Sequence, residues 1–353
     1  MPSETVTVAV GSGRFTRWSA IDIVYSADAA SRSATLVAAD VRMVGELTAN
    51  VALGDPASVA AGSTLLMTGF IETLAPEVDG EAHRLTITIA SLASHAAEAS
   101  ADHPTGEVRR RRLSTMLNEI DPTGTRWVGR DDQVEALVRI RPGESPFEVA
   151  ERVARRQGVL LISRPDGGVD LAKGVQGHHA GLILEGDVHR GFTRGGATLT
   201  LRGQPSEVSV RGQSHERADG RSLKIDHKVK LPGARHHRPL VIYHEGEANT
   251  GAVRTRAAWE ALRRKGAGTT ATLTLPRWRD EGGLIWTPAY DIPVRAPRLR
   301  IDQRLAVRSV HLHQGAEDGT FAVLQLVDPR GLGGTDPGGA SGKEWGGSGE
   351  WTE

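Results

Sequence analysis

A chain of 353 residues exceeds what one hydrophobic core usually holds, so two or three domains are expected. Lys plus Arg and Asp plus Glu each number 43, a balance that leaves no global field to draw nucleic acid or an anionic membrane. The absence of Cys excludes disulfides, thiolate nucleophiles and Cys-ligated zinc, and no apolar run approaches the roughly 20 residues a spanning helix needs. The N-terminal MPSETVTVAVGSGRF lacks the basic-then-apolar order of a signal peptide, so a soluble protein made and kept in the cytoplasm is expected. Abundant Gly, few aromatics and many short Val/Ile/Leu/Thr runs predict strands and turns rather than a helical bundle.

Residues 1–95 read as an N-terminal β-barrel domain. Val6, Val8 and Val10 share one strand face ahead of the turn signal Gly11-Ser12-Gly13, and Ile21, Ile23 and Tyr25 resume the alternation after Trp18. Ala34 to Val37 begins another strand. Leu65–Leu74 and Arg84–Ala90 flank Asp79-Gly80 as a hairpin, with Leu85, Ile87 and Ile89 on one face.

Residues 96–178 read as a linker followed by a small α/β domain. Ser91 to Arg112 is small, polar and charged, and Arg109–Arg112 reads as a solvated flank rather than a nucleic-acid contact, because no aromatics are interleaved. Leu113, Met116, Leu117 and Ile120 recur at helical spacing, and Asp121-Pro122 ends that helix. Ser145, Pro146 and Glu148 then make an N-cap, a first-turn proline and a capping box. Phe147, Ala150, Val153 and Ala154 form the buried stripe, with Gly158 as the C-terminal glycine. Val159–Ser163 and Val169–Ala172 pair as a hairpin around Asp166-Gly167-Gly168.

Residues 179–330 read as a second β-barrel domain carrying a helix at 248–265. LILEGDV, ATLTLRG and SEVSVRGQS are strands, and 213–235 is expected to be a long exposed loop. Pro239–Tyr243 is a short apolar strand. Val253, Ala257, Ala261 and Leu262 make a helical stripe, Arg263, Arg264 and Lys265 suit the negative end of the helix dipole, and Gly266 ends the helix. Ala271, Leu273 and Leu275 point inward from the next strand. Residues 331–353 are Gly-rich and expected to be a flexible tail, in which Trp345 and Trp351 are candidate anchors for a partner.

Candidate chemistry is sparse. His236, His237, His244 and Glu245 are close in sequence, but adjacent strand residues face opposite ways, so they do not converge on one ion. His311 and His313 do share a strand face, with no third ligand identifiable. Asp131-Asp132 and Asp280-Glu281 fall in turns, where solvated carboxylates are expected. There is no GxSxG elbow, no dinucleotide fingerprint and no phosphate loop. Trp259, Trp278 and Trp286 read first as core packing and second as interface.

Several packing motifs nevertheless follow one another in a recognisable order. RPLVI at 238–242, RxRAxWE at 254–260, a strand at 270–275, Trp278 and EGGLIW at 281–286 resemble the C-terminal half of the Mu-like phage baseplate hub proteins. VxV with a Gly turn, WxxIxI, TGFIETLAP before a DG hairpin, and RPGESxFEVAERVARxxGVLL at 141–161 resemble the same family. The resemblance spans roughly residues 5 to 330 and leaves the 213–235 segment and the tail unmatched. It implies a mainly β fold of two barrel-like domains with an α/β insert, related also to the base of type VI secretion spikes. It further implies a homotrimeric ring joining a central spike to the tail tube or a tube-initiator protein, among other baseplate proteins. The implied location is the virion tail baseplate, with host cytoplasm during assembly. It carries over no catalytic residue, cofactor, metal or specific nucleic acid. Leu240, Trp259, Trp278, Trp286, Trp345 and Trp351 remain structural or interface candidates. Two competing readings are a metal-dependent hydrolase using His311 and His313, and a cell-wall-binding module in residues 113–172.

Overall fold

Alternating apolar residues with β-branched neighbours build most of the molecule. The computed structural model describes residues 4–11, 13–29, 31–39, 41–79, 82–213, 224–231, 236–244, 248–335, 337 and 341. The N-terminal region supplies β1 (Val6–Val10), β2 (Gly13–Phe15), β3 (Ala20–Ser26), β4 (Ser33–Ala38), helix α1 (Val41–Asn50), β5 (Pro56–Ala61), β6 (Thr64–Asp79) and β7 (Ala82–Ser91). Val6, Val8 and Val10, like Leu85, Ile87 and Ile89, all turn into the core, as period two requires. Helix α1 is not among the elements read from the sequence; Val44 packs against the core and Leu47 is fully buried in it, an i, i+3 pair.

The middle region opens with a one-turn helix, α2 (His95–Glu98), then β8 (Glu107–Arg112), α3 (Leu113–Ile120), β9 (Trp127–Gly129), β10 (Val134–Arg139), α4 (Pro146–Gln157), β11 (Leu160–Ser163) and β12 (Val169–Ala172). The stretch read as a linker therefore corrects in part to a strand. Val108 is buried opposite Val138 while the arginines after it stay exposed, so β8 pairs with β10 even though its composition looks solvated. Helices α3 and α4 fall where capping and spacing put them. Ser145 accepts from the Glu148 backbone N–H at 3.2 Å, Glu148 accepts in return from Ser145 N–H at 2.8 Å, and Gly158 closes the helix at φ 68°. β11 and β12 pair antiparallel as expected, and β12 also pairs with β9 in parallel.

The C-terminal region contains β13 (Gly177–His178), β14 (Ile183–Leu184), β15 (Arg194–Leu199), β16 (Glu207–Gln213), β17 (Lys224–Lys230), β18 (Pro239–Tyr243), α5 (Thr250–Gly266), β19 (Thr269–Leu275), β20 (Tyr290–Ala296), β21 (Ile301–Gly315) and β22 (Gly319–Val327). The expected loop at 213–235 is corrected at Lys224–Lys230, which pairs with β16; residues 214–223 lie outside the described ones. Strands β17, β16 and β18 form a sheet of their own, and Val253, Ala257 and Ala261 of α5 cover Val208 and Val210. Leu262 leaves the stripe and is exposed, whereas Trp259 is buried. Among the described residues no helix is long and apolar enough to cross a membrane.

The pairing of β3 with β21, from Ala20↔Gly315 to Ser26↔Ser309, joins the two β-rich regions into one sheet. Its order is β15-β19-β22-β21-β3-β4-β7-β6-β5-β1-β2, with β20, β13 and β14 added beside β21. One hydrophobic cluster runs through both regions, from Val6 and Ile87 to Trp278, Trp286 and Leu324. The α/β unit has a separate core of α3, α4 and their strands. It meets the large sheet through a small apolar seam that includes Leu160, Ile162, Ala27, Ala306 and Val327.

One buried cation pins that seam. Arg32 donates to Leu66 O at 2.7 Å, to Ser163 O at 2.7 Å and to Ser163 Oγ at 3.1 Å, and its guanidinium lies 4.6 Å from the Tyr25 ring centre. Burial pulls the Arg32 pKa down to about 10, so the group stays charged at neutral pH and its donors need those partners.

Candidate functional site

Among the described residues, the histidines around β18 do not come together in a site. His236 and His237 are exposed before the strand and His244 follows it, about 20 Å of extended chain apart. Glu245 lies outside the described residues.

The His311–His313 pair does gain a third group. β21 turns Val310 and Leu312 into the core, so His311 and His313 project from the other face. The register places Asp22 of β3 directly opposite His313, with Val24 opposite His311. His311 Nε2 lies 2.6 Å and His313 Nδ1 2.8 Å from the same Asp22 Oδ1. The three offer ligand atoms all within 4.8 Å of one another, the one such group among the described residues. Burial by itself raises the Asp22 pKa, but hydrogen bonds from His313 and His311 outweigh it and hold the carboxyl below its ordinary value. His313 is the better fixed of the two imidazoles. Phe321 stacks on it at 4.6 Å between ring centres, and Trp278 Nε1 donates to the carbonyls of His313 and Phe321 at 3.0 and 2.9 Å.

A second polar cluster is structural. Asp280 is buried, not solvated as its turn position suggests. Its Oδ2 accepts from His179 Nδ1 and Ala180 N, and its Oδ1 from Gly282 N and Leu284 N, each at 2.9 Å. Thr287 N–H donates to His179 Nε2 at 3.0 Å, so the proton of this buried imidazole sits on Nδ1 and points at Asp280. The sequence gives no hint of this latch, because His179 and Asp280 are 101 residues apart. Asp132 corrects the same expectation: it is buried and takes both the N–H and the hydroxyl of Ser114 at 2.7 Å.

The tryptophans divide by depth. Trp278 and Trp286 are fully buried in the large core. Trp259 sits where α5 meets the C-cap of α4, and a Cβ at Gly158 would come within 2.9 Å of its ring. Leu240 turns inward against the α5 sheet, while Val241 and Tyr243 on the other face of β18 are exposed. Trp345 and Trp351 lie outside the described residues.

The order of strands in the 14-stranded sheet, with the α/β unit and the α5 sheet beside it, gives a fold similar to that of prophage tail proteins. The match with the prophage MuSo2 43 kDa tail protein from Shewanella oneidensis has a TM-score of 0.79 at 21% identity, and covers 94% of this chain and 100% of that one. The tail protein from Neisseria meningitidis MC58 gives 0.79 at 18%, covering 95% and 100%. A component of the E. coli type VI secretion system, itself described as structurally similar to T4 bacteriophage tail proteins, gives 0.52 at 8%, covering 90% and 74%. No protein-family model and no curated protein sequence matches the chain. At the level of fold, the resemblance read from the ordered motifs holds, as does the mainly β class with an α/β unit.

Proposed function

We propose that this chain is a structural, non-catalytic baseplate hub of a contractile phage or phage-like tail. It assembles as a homotrimeric ring that joins the central spike to the tail tube or a tube-initiator protein. The observation that carries the reading is the extent of the likeness. Two prophage tail proteins are covered over their full length, so the correspondence includes the sheet, the α/β unit and the α5 sheet together rather than one common module. The likeness to a type VI secretion component supports a part shared by phage tails and secretion spikes. Two β-rich regions per chain, brought into one sheet by β3 and β21, give a threefold ring six β-rich units with which to face a sixfold tube.

An in-frame deletion in a strain that produces the particle tests this role directly. Electron micrographs of the lysate should show no assembled contractile tails, and the intact chain supplied in trans should restore them. Normal tails in the deletion strain would contradict it.

A further inference from the structure

We propose that Asp22, His311 and His313 form a binding site for a divalent transition metal of zinc type, which staples β3 to β21. The proposal stands independently of the hub role. Two imidazole nitrogens and a carboxylate suit zinc, cobalt or nickel, whereas calcium and magnesium favour sites made wholly of oxygen. The donors come from two strands whose register fixes them: Asp22 and His313 are a directly opposed pair, and His311 is two residues away on the same face. All three are partly open to solvent, with side-chain exposures of 36%, 12% and 40% for Asp22, His313 and His311, so an ion can reach them.

The fit requires a small movement. Ligand atoms about 2.0 to 2.1 Å from a tetrahedral ion sit roughly 3.3 Å apart. The nitrogens lie 2.6 and 2.8 Å from Asp22 Oδ1, so these gaps have to open by about 0.5 to 0.7 Å to admit the ion.

A second observation points to the same ligand. His313 Nε2 is buried and makes no hydrogen bond among the described residues, yet it lies 3.7 Å from the Asp318 carboxylate on the β21–β22 turn. In a neutral imidazole whose Nδ1–H faces Asp22, the Nε2 lone pair would face a second carboxylate. A metal on Nδ1 reverses this: the proton moves to Nε2 and points at Asp318, the arrangement metal-bound histidines ordinarily adopt. Gly315 keeps that edge clear, because a Cβ there would stand 3.0 Å from His313 Nε2. The site lies on the strand pair that unites the two β-rich regions, so occupancy stabilises that seam rather than a local loop.

The test uses the full-length untagged chain, stripped with chelator and titrated with Co²⁺ at pH 7.5 while visible absorption is followed, then with Zn²⁺ in competition. One saturable Co²⁺ per chain, displaced by Zn²⁺ and accompanied by a melting point a few degrees higher, is expected. His311→Ala and Asp22→Asn should each weaken binding at least tenfold, and the double variant His236→Ala/His237→Ala should leave it unchanged. Both single substitutions are at partly exposed positions, and the melting point of each metal-free variant checks that it folds. Either one folded variant suffices to decide the question. No saturable binding up to ~1 mM would overturn the proposal. So would binding that survives His311→Ala and Asp22→Asn but is lost with His236 and His237.

Discussion

At the residue scale, the side chains that hold this molecule together are the ones its local sequence disguises. Asp280 takes four donors on one buried carboxylate and fixes the neutral tautomer of His179 beneath Trp286. Asp280→Ala leaves those neutral donors unpaired inside the protein and should cost about 1 to 3 kcal/mol for each that finds no new partner, read as a lower urea midpoint with an unchanged slope. The carboxyl also makes the fold acid-sensitive. Burial alone would raise its pKa, but hydrogen bonds from His179, Ala180 and Leu284 carry it below the ordinary 3.8. Because the folded value lies below the unfolded one, this stabilisation is fully present above about pH 4 and is lost as the pH falls through the folded value. Asp22 and Asp291 shift in the same direction and add to the slope. Asp280→Asn should therefore lose less stability than the native chain between pH 5 and pH 3. An equal loss in both would show that Asp280 does not carry this dependence.

At the scale of elements, what the sequence reveals depends on how far apart the interacting residues are. Helices α3 and α4 are legible because every signal, from the Ser145–Glu148 box to Gly158, lies within one or two turns. β8 is not, because its partner β10 is some 25 residues away and four consecutive arginines mask a strand with a single buried face residue, Val108. Asp22 is invisible as a partner of His311 for the same reason, at a separation of 289 residues. Gly266 shows a correct position read for the wrong cause. It is the last residue of α5, and its φ is ordinary. A Cβ there would stand 1.9 Å from the backbone N of Gly331, in the tight turn Pro329–Leu332. Helix propensity alone predicts that Gly266→Ala gains up to about 1 kcal/mol. The contact predicts the reverse sign, a loss of more than ~1 kcal/mol as the turn is pushed off α5. Thermal melting of this one variant decides between them, and a stabilised protein would mean that the turn gives way freely.

At the scale of the molecule, the pairing of β3 with β21 determines the architecture. It turns two β-rich stretches, joined across a 289-residue separation at Asp22 and His311, into one sheet over one core, with the α/β unit pinned to it through Arg32 and the apolar seam. Composition alone foretold strands and turns but not this continuity, since hydrophobic alternation does not say which strand pairs with which. The order of motifs said more, because it pointed to phage tail proteins, whose fold this chain shares. A chain that closes into the proposed threefold ring buries large interfaces, above about 2,000 Å² when obligate. The most direct test is the solution mass of the untagged protein by light scattering across micromolar concentrations. A mass three times that of the 37.7 kDa chain, unchanged on dilution, is expected. A stable 37.7 kDa monomer at the highest concentration would contradict it.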